Sequence, residues 1–337
     1  MLYITTRDHS DAYTAHRVLS ENRAADGGMF LPMQMPVVSR ERIAELQNKT
    51  FGQNVAEILN LFYKSRLDSW DIDFCIGRYS SKLTAMSHRS CIAEVWHNPD
   101  HDFARVVRNL TGRLRGNKDT TDAPTNWAWI SVRIAVLFGM FGEMYKIHAA
   151  SPDTAVDVAI PSGDFAGPMA VWYARQMGLP VGNIICACDE NDAAWELLKN
   201  GQINMTAGMT IPPDLERLVY SVLGLEESKR FANLMDRRRS YSVSEEAAAA
   251  LRKGMYPAVI SWKRRSEIIR GVYSASTYIL DPGSAMAFGG LQDYRALAGE
   301  TRPALIITER GQICSADTVS AAMGITVEML RQRLNLD

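Results

Sequence analysis

The sequence predicts an α/β fold built on a parallel sheet, and three observations carry that prediction. Val156-Asp157-Val158-Ala159-Ile160 is a β-branched run of the length of a buried strand. Asn183-Ile184-Ile185-Cys186-Ala187 is a second such run. Between them lie a small-residue loop, Pro161-Ser162-Gly163-Asp164-Phe165-Ala166-Gly167, and an apolar-periodic stretch over 169–177 that stops at Gly178 and Pro180. Strand, loop, helix and strand make one βαβ unit. In such a unit the loop N–H groups and the positive end of the helix form an anion site. The simpler reading gives the two glycines only a conformational job in a tight turn.

The other elements follow in chain order. Residues 1–32 end in Asp26-Gly27-Gly28-Met29-Phe30-Leu31-Pro32, a turn signal and then a short apolar strand. Residues 39–115 read as helical, with Val55, Ile58, Leu59 and Phe62 at helical spacing. Within that span Cys91-Ile92-Ala93-Glu94-Val95-Trp96 reads as a strand, His97-Asn98-Pro99-Asp100-His101-Asp102 as a polar turn, and 103–114 as a helix. Gly, Asn, Lys, Asp and Thr crowd into 116–124, which reads as a loop. Residues 126–147 form a long apolar helix, in which Gly139 and Gly142 mark places where another backbone comes close. A helix ends at Gly201, and another covers 215–223 after Pro212-Pro213. Ser242-Val243-Ser244-Glu245 has the form of a capping box and leads into an Ala-rich helix reaching Tyr256. Helices over 262–280 and 285–297 are joined by Asp281-Pro282-Gly283-Ser284. Ala304-Leu305-Ile306-Ile307-Thr308 is a buried strand, and Thr326 caps a final helix over 327–334.

Composition narrows the function. With 337 residues, 47% hydrophobic and 22% charged, the chain can build one large domain or two ordinary ones. Lys plus Arg is 37 and Asp plus Glu is 38, a balance that gives no argument for a nucleic-acid or membrane-surface partner. Arg237-Arg238-Arg239 reads as a solvated helix end. Five scattered cysteines, with Cys186-x-Cys188 lacking a second pair, read as buried free thiols. The amino terminus has neither signal-peptide nor transit-peptide character. The longest apolar run, 130–144, carries Arg133 and Glu143 and falls short of a membrane span. A reducing cytoplasm fits all of this.

Taken together, these stretches resemble threonine synthase, a fold-type-II enzyme dependent on pyridoxal phosphate. Tyr3-x-Thr5-Thr6-Arg7 and residues 26–32 look like that family's amino terminus. The 161–167 loop is similar to its Pro-Ser/Thr-Gly-Asn-Phe-Gly phosphate loop. Gly178-Leu179-Pro180, Asn191-Asp192, Gly201-Gln202, Pro212, Leu215-Glu216-Arg217 and Tyr220 follow the family order. Asp281-Pro282-Gly283-Ser284-Ala285-Met286-Ala287 resembles its Asp-Pro-His-Thr-Ala-x-Ala. The resemblance implies the three-layer open sheet of that superfamily. It also makes Thr308 the match to the partner of the cofactor's pyridine nitrogen.

The departures fall where the chemistry should be. The family's cofactor lysine lies in His-Gly-Pro-Thr-x-Ala-Phe-Lys-Asp, and the corresponding stretch here runs from His97 to Arg105 with Ala104 in the lysine's place. Alanine has no amine, and the neighbouring Arg105 stays protonated. The family places a small domain between the lysine helix and the Asn-Trp-Ala helix; here only a short segment stands there. Asp164 and Ala166 replace Asn and Gly in the phosphate loop, and a carboxylate beside a phosphate dianion is repulsive. Glu309-Arg310-Gly311 also departs from the family after Thr308.

The expected organisation is therefore an N-terminal helical region with the degenerate cofactor-lysine segment (1–115), a short loop replacing most of the small domain (116–125), and a main α/β domain (126–337). The expected catalytic candidates are Asp164, His97 and His101. Asp164 can bind an amine or act as a base if burial raises its pKa, and an Asx turn is its plainer role. The two histidines could bind a metal or exchange protons, and a solvated turn with Asp102 as N-cap is the plainer role there; no metal is assigned. The expected ligand contacts are Ser162, Gly163, Asp164, Phe165, Ala166, Gly167, Asn126 and Thr308. No cofactor is expected, pyridoxal phosphate being the ancestral one. The expected activity is that of a cofactor-free derivative of threonine synthase acting on a small amino acid or its phosphate ester. Two alternatives stand beside it: a non-catalytic scaffold subunit, and a pyridoxal-phosphate lyase acting on O-phosphohomoserine. The expected partners are an amino-acid-type small molecule and a second copy or another protein, with no nucleic acid and no membrane.

Overall fold

A computed structural model describes residues 1–76, 82–86, 89–94, 102–116, 125–299 and 302–336. The chain opens with β1 (Leu2–Thr5), β2 (Tyr13–Thr14), α1 (Ala15–Ser20) and β3 (Phe30–Pro32), whose strands form a small antiparallel sheet in the order β2-β1-β3. Next come α2 (Arg40–Ala44), a 3₁₀ turn over Glu45–Asn48, α3 (Phe51–Tyr63) and α4 (Ser69–Ile76). Thr50 starts α3 through a reciprocal capping box with Gln53, and Val55, Ile58, Leu59 and Phe62 all turn inward. The Tyr3 hydroxyl donates to the Phe62 carbonyl at 2.7 Å and ties the small sheet to α3.

The main sheet begins with β4 (Lys82–Met86) and β5 (Ser90–Glu94), followed by α5 (Phe103–Arg115) and α6 (Trp127–Lys146). The chain continues through β6 (Val156–Pro161), α7 (Ala166–Gln176), β7 (Val181–Cys188), α8 (Ala193–Asn200), β8 (Gln202–Asn204), α9 (Leu215–Leu223), α10 (Leu225–Arg238), β9 (Ser240–Ser242), α11 (Glu245–Arg252) and β10 (Met255–Val259), with β8 and β9 pairing as a separate antiparallel ribbon. The chain then runs through α12 (Trp262–Ser276), α13 (Pro282–Ala298), β11 (Ala304–Thr308), a 3₁₀ turn over Gln312–Ser315, α14 (Ala316–Met323) and α15 (Val327–Arg333).

Six strands lie in the order β10-β7-β6-β11-β5-β4, all parallel except β4, which runs against β5. Strand residues alternate between two cores, as period two requires. Val158, Ile160, Ile184, Leu305 and Ile307 face a core shared with α3, α5, α6 and α7. Ala159, Ile185, Ala187 and Ile306 face a second core shared with α12, α13 and α14. Helices thus cover both faces, the arrangement a parallel sheet needs. This is the three-layer α/β architecture expected from the sequence.

Helix α6 is long and apolar enough to cross a bilayer, yet 89% of its apolar window is buried inside the fold. Gly142 lets it approach the Leu46 backbone, where an added Cβ would stand 2.8 Å from the carbonyl oxygen. Gly139 instead meets the ring of Phe51, a side chain and not a backbone.

Two elements differ from expectation. The Ala-rich helix does not reach Tyr256; it stops at Arg252, Gly254 turns the chain at a left-handed φ of +72°, and residues 255–259 become a strand. Pro257 is tolerated there because β10 is an edge strand. The helix is capped by Ser244, which accepts from the Ala247 N–H, and not by Ser242, which belongs to β9.

Candidate functional site

The 161–167 loop leaves the carboxyl end of β6, the position where open α/β sheets bind ligands. Its backbone is fixed at several points. The Ser162 N–H donates to Ala187 O and the Phe165 N–H to Ser162 O, each at 2.7 Å. The Ser162 hydroxyl donates to Asp192, which in turn caps α8. Gly163 and Phe165 both take left-handed φ, +48° and +66°. For the fully buried Phe165 that conformation costs about 1 kcal/mol and is held by its core packing. Among the described residues no hydrogen bond takes the backbone N–H groups of Gly163, Asp164 or Gly167. Three donors are therefore left open at the amino end of α7.

Asp164 folds back on its own loop. Its Oδ1 accepts from the Ala166 N–H at 3.0 Å, and its carbonyl accepts from the Asp214 N–H at 3.3 Å. The contact is the Asx-type one that the sequence allowed.

Beside the loop lies a cavity of about 680 Å³ whose lining includes Ala104, Arg133, Gly163, Asp164, Asp281 and Glu309. Ala104 stands in the first turn of α5, which Asp102 caps by accepting from the Arg105 N–H. Asp102 and Arg310 form an isolated β-bridge, and the Phe103 N–H donates to the Glu309 carbonyl at 2.7 Å. The start of α5 is thereby held against the end of β11.

The cavity holds two buried polar pairs. Arg133 donates Nε to Glu309 Oε1 at 2.6 Å and a second N–H to Oε2 at 3.0 Å. Burial alone would lower the Arg133 pKa; the Glu309 pairing outweighs it and holds the guanidinium protonated. Thr308 donates its hydroxyl to Asp281 Oδ2 at 2.6 Å, and Ser284 donates to the same oxygen. Burial pushes the Asp281 carboxyl up, against the pull of these hydroxyl donors. Behind the loop, burial lifts Asp214 to about 6 despite its pairing with Arg217.

The structure brings Gly163, Asp164 and Ala104 to the wall of the same cavity. Phe165 and Ala166 are fully buried in the core, and Ser162 and Thr308 are almost so. Asn126 sits elsewhere: it caps α6 through the Ala128 N–H, and its amide donates to the carbonyls of Val18, Leu19 and Glu21. His97 and His101 lie outside the described residues. Among the described residues no group of three or more His, Cys, Asp or Glu is placed to hold a metal. The pattern reading passed over Arg133, Glu309, Asp281 and Asp214. A lone arginine within an apolar helix was the one available signal for the first of these.

The family model "Threonine synthase N terminus" matches residues 2–79. The human protein Threonine synthase-like 1 is 25% identical over 201 residues, which cover 56% of this chain and 26% of that one. Over this match the chain spans only about a quarter of its relative's length. Threonine synthase from Schizosaccharomyces pombe is 25% identical over 422 aligned positions, covering 84% of this chain and 82% of that enzyme. Because 422 exceeds the 337 residues present here, part of that enzyme has no counterpart in this chain. The crystal structure of pyridoxal-phosphate-bound threonine synthase from Brucella melitensis superposes with a TM-score of 0.83 at 19% identity, over 99% of this chain and 94% of that one. This chain is similar to threonine synthases in sequence and in fold. At that identity the structural likeness is one of fold, a mixed α/β fold shared with threonine synthase.

The Brucella structure corrects the expectation that no cofactor belongs here, since it shows this fold with pyridoxal phosphate bound. This chain fits that group in part. Three open N–H groups at a helix start suit a phosphate. The aldehyde end finds no amine, because residue 104 is alanine and no lysine lines the cavity among the described residues.

Proposed function

We propose that this threonine synthase-like chain holds pyridoxal phosphate by its phosphate and its ring, without covalent attachment, and has lost lysine-tethered chemistry. One observation carries the reading: Ala104 lines the same cavity as Gly163 and Asp164. The open N–H groups of Gly163, Asp164 and Gly167 receive the phosphate. Thr308, whose hydroxyl proton goes to Asp281, is left to accept from a ring N–H. When bound, pyridoxal phosphate supplies an electron sink for chemistry at a substrate's amino carbon. Asp164, with one oxygen on the Ala166 N–H, is the carboxylate placed to hold a substrate ammonium. To the same reading belong an amino-acid-type ligand in the rest of the cavity, a second copy or another protein as partner, and a cytoplasmic setting. To the same reading belongs the point that residues 116–125 stand in for a longer segment of the relatives.

The test is a titration of the full chain with pyridoxal phosphate, followed by dialysis and, in a parallel sample, borohydride reduction and mass spectrometry. The reading expects saturable binding at one site, full loss on dialysis, and no pyridoxyl mass after reduction. A lysine-linked pyridoxyl group on the unaltered chain would overturn it.

A further inference from the structure

We propose that Arg133 is the receptor for the anionic group of the cavity's ligand, a phosphate monoester, and that Glu309 is the chain's own placeholder for that group. The proposal rests on the reading that a phosphorylated ligand enters this cavity. The Arg133 guanidinium is 91% buried and fixed in orientation: it donates to Trp129 O at 3.2 Å and lies 5.0 Å from the Phe103 ring and 5.3 Å from that of Trp129. A fork held in this way takes carboxylate and phosphate in the same bidentate geometry. Glu309 is the more exposed member of the pair, at 28%, and follows the last residue of β11.

The position of one oxygen decides the matter. Glu309 Oε1, which accepts from Arg133 Nε at 2.6 Å, stands 3.9 Å from where a Cβ on Gly167 would lie. The internal carboxylate therefore sits beside the loop whose Gly163, Asp164 and Gly167 N–H groups are open. A phosphate seated there gains the Arg133 fork and the loop donors together. With Glu309 in place, the same phosphate would face two carboxylates, Glu309 and Asp164, and a guanidinium already neutralised. Ligand entry is thus an exchange of anions on Arg133, phosphate in and carboxylate out. The Glu309 backbone keeps its bond from Phe103 throughout, since that contact uses the carbonyl and not the side chain.

The experiment measures, by isothermal titration of the full chain, affinities for pyridoxal phosphate, inorganic phosphate and phosphate-free pyridoxal in the wild type, Glu309→Gln and Arg133→Gln, with melting curves to check folding. The proposal expects Glu309→Gln to tighten both phosphorylated probes at least tenfold and to leave pyridoxal unchanged. It expects Arg133→Gln to abolish the binding of inorganic phosphate. Should Glu309→Gln fail to fold, Glu309→Asp, which draws the carboxylate back by one methylene, is expected to tighten the phosphorylated probes by a smaller factor. Wild-type binding of pyridoxal phosphate with no gain in either Glu309 variant overturns the placeholder and leaves the non-covalent reading standing. Absence of pyridoxal phosphate binding in every form overturns both.

Discussion

The Thr308 hydroxyl donates to Asp281 Oδ2 at 2.6 Å, and that bond joins the last residue of β11 to the N-cap of α13. Both residues are almost fully buried. Replacing Thr308 by Val keeps the shape and leaves Asp281 short of one donor. The expected loss is about 1–2 kcal/mol in urea unfolding, with Thr308→Ser retaining most of the wild-type stability. Equal stability of the Val and Ser variants would remove the bond from the list of supports for the site.

Asp214 gives a pH signature. Its carboxyl is buried and lifted to about 6, so the native state keeps this proton longer than the unfolded chain does. The contribution is therefore most favourable below about 4, falls as pH rises towards 6, and stays low above that; the total change is roughly 3 kcal/mol. Asp214→Asn has no such titration. Denaturation of the two proteins across pH 4 to 7 should show the wild type losing ground to the variant as pH rises. Parallel curves would contradict the assignment.

Ala104 can be tested by gain instead of loss. Ala104→Lys puts an amine at the wall of the cavity that Gly163 and Asp164 also line. After incubation with pyridoxal phosphate and borohydride, peptide mass spectrometry is expected to find a pyridoxyl group on residue 104 of the variant and on no residue of the wild type. An unlabelled variant that still binds the cofactor would show that residue 104 lies out of reach of the aldehyde.

Gly142 bears on the fold and not on the chemistry. An alanine there would place Cβ 2.6 Å from Asn54 Nδ2 and 2.8 Å from the Leu46 carbonyl oxygen. Overpacking of this kind costs about 1–3 kcal/mol, although Gly-to-Ala within a helix ordinarily stabilises by about 1 kcal/mol. Gly163→Ala meets no atom within 4 Å and bears only the strain of its positive φ. Thermal unfolding should therefore rank Gly142→Ala well below Gly163→Ala.

Much of the framework was legible in the sequence, because burial writes a period into it. The β6–α7–β7 unit, the long helix α6, α12, α13 and β11 all follow from apolar spacing and from glycine or proline stops. Strand β10 was missed because the Ala-rich helix was carried on to Tyr256, past Gly254, a stop signal in plain view. Helix α10 was passed over despite Ser228, Phe231, Ala232 and Met235 lying at helical spacing, since its mean character is polar. At the site, the loop could be read locally, and the alanine at 104 only through the family resemblance. The Arg133–Glu309 and Thr308–Asp281 bonds could not, because each joins residues far apart in the chain and single-sequence periodicity carries no record of such pairing. For the same reason Asn126 was read as a ligand contact when its work is to cap α6 and hold α1.

Among the described residues β11 alone joins two halves of the main sheet: it pairs with β6 on one side and β5 on the other, and β5 and β6 do not pair with each other. A nascent chain emerging from the ribosome therefore exposes both halves long before the strand that zips them together has been made. Until residues 304–308 arrive, the bonding edges of β5 and β6 stand open, and any truncation upstream of them leaves two unjoined half-sheets prone to pair with the wrong neighbour.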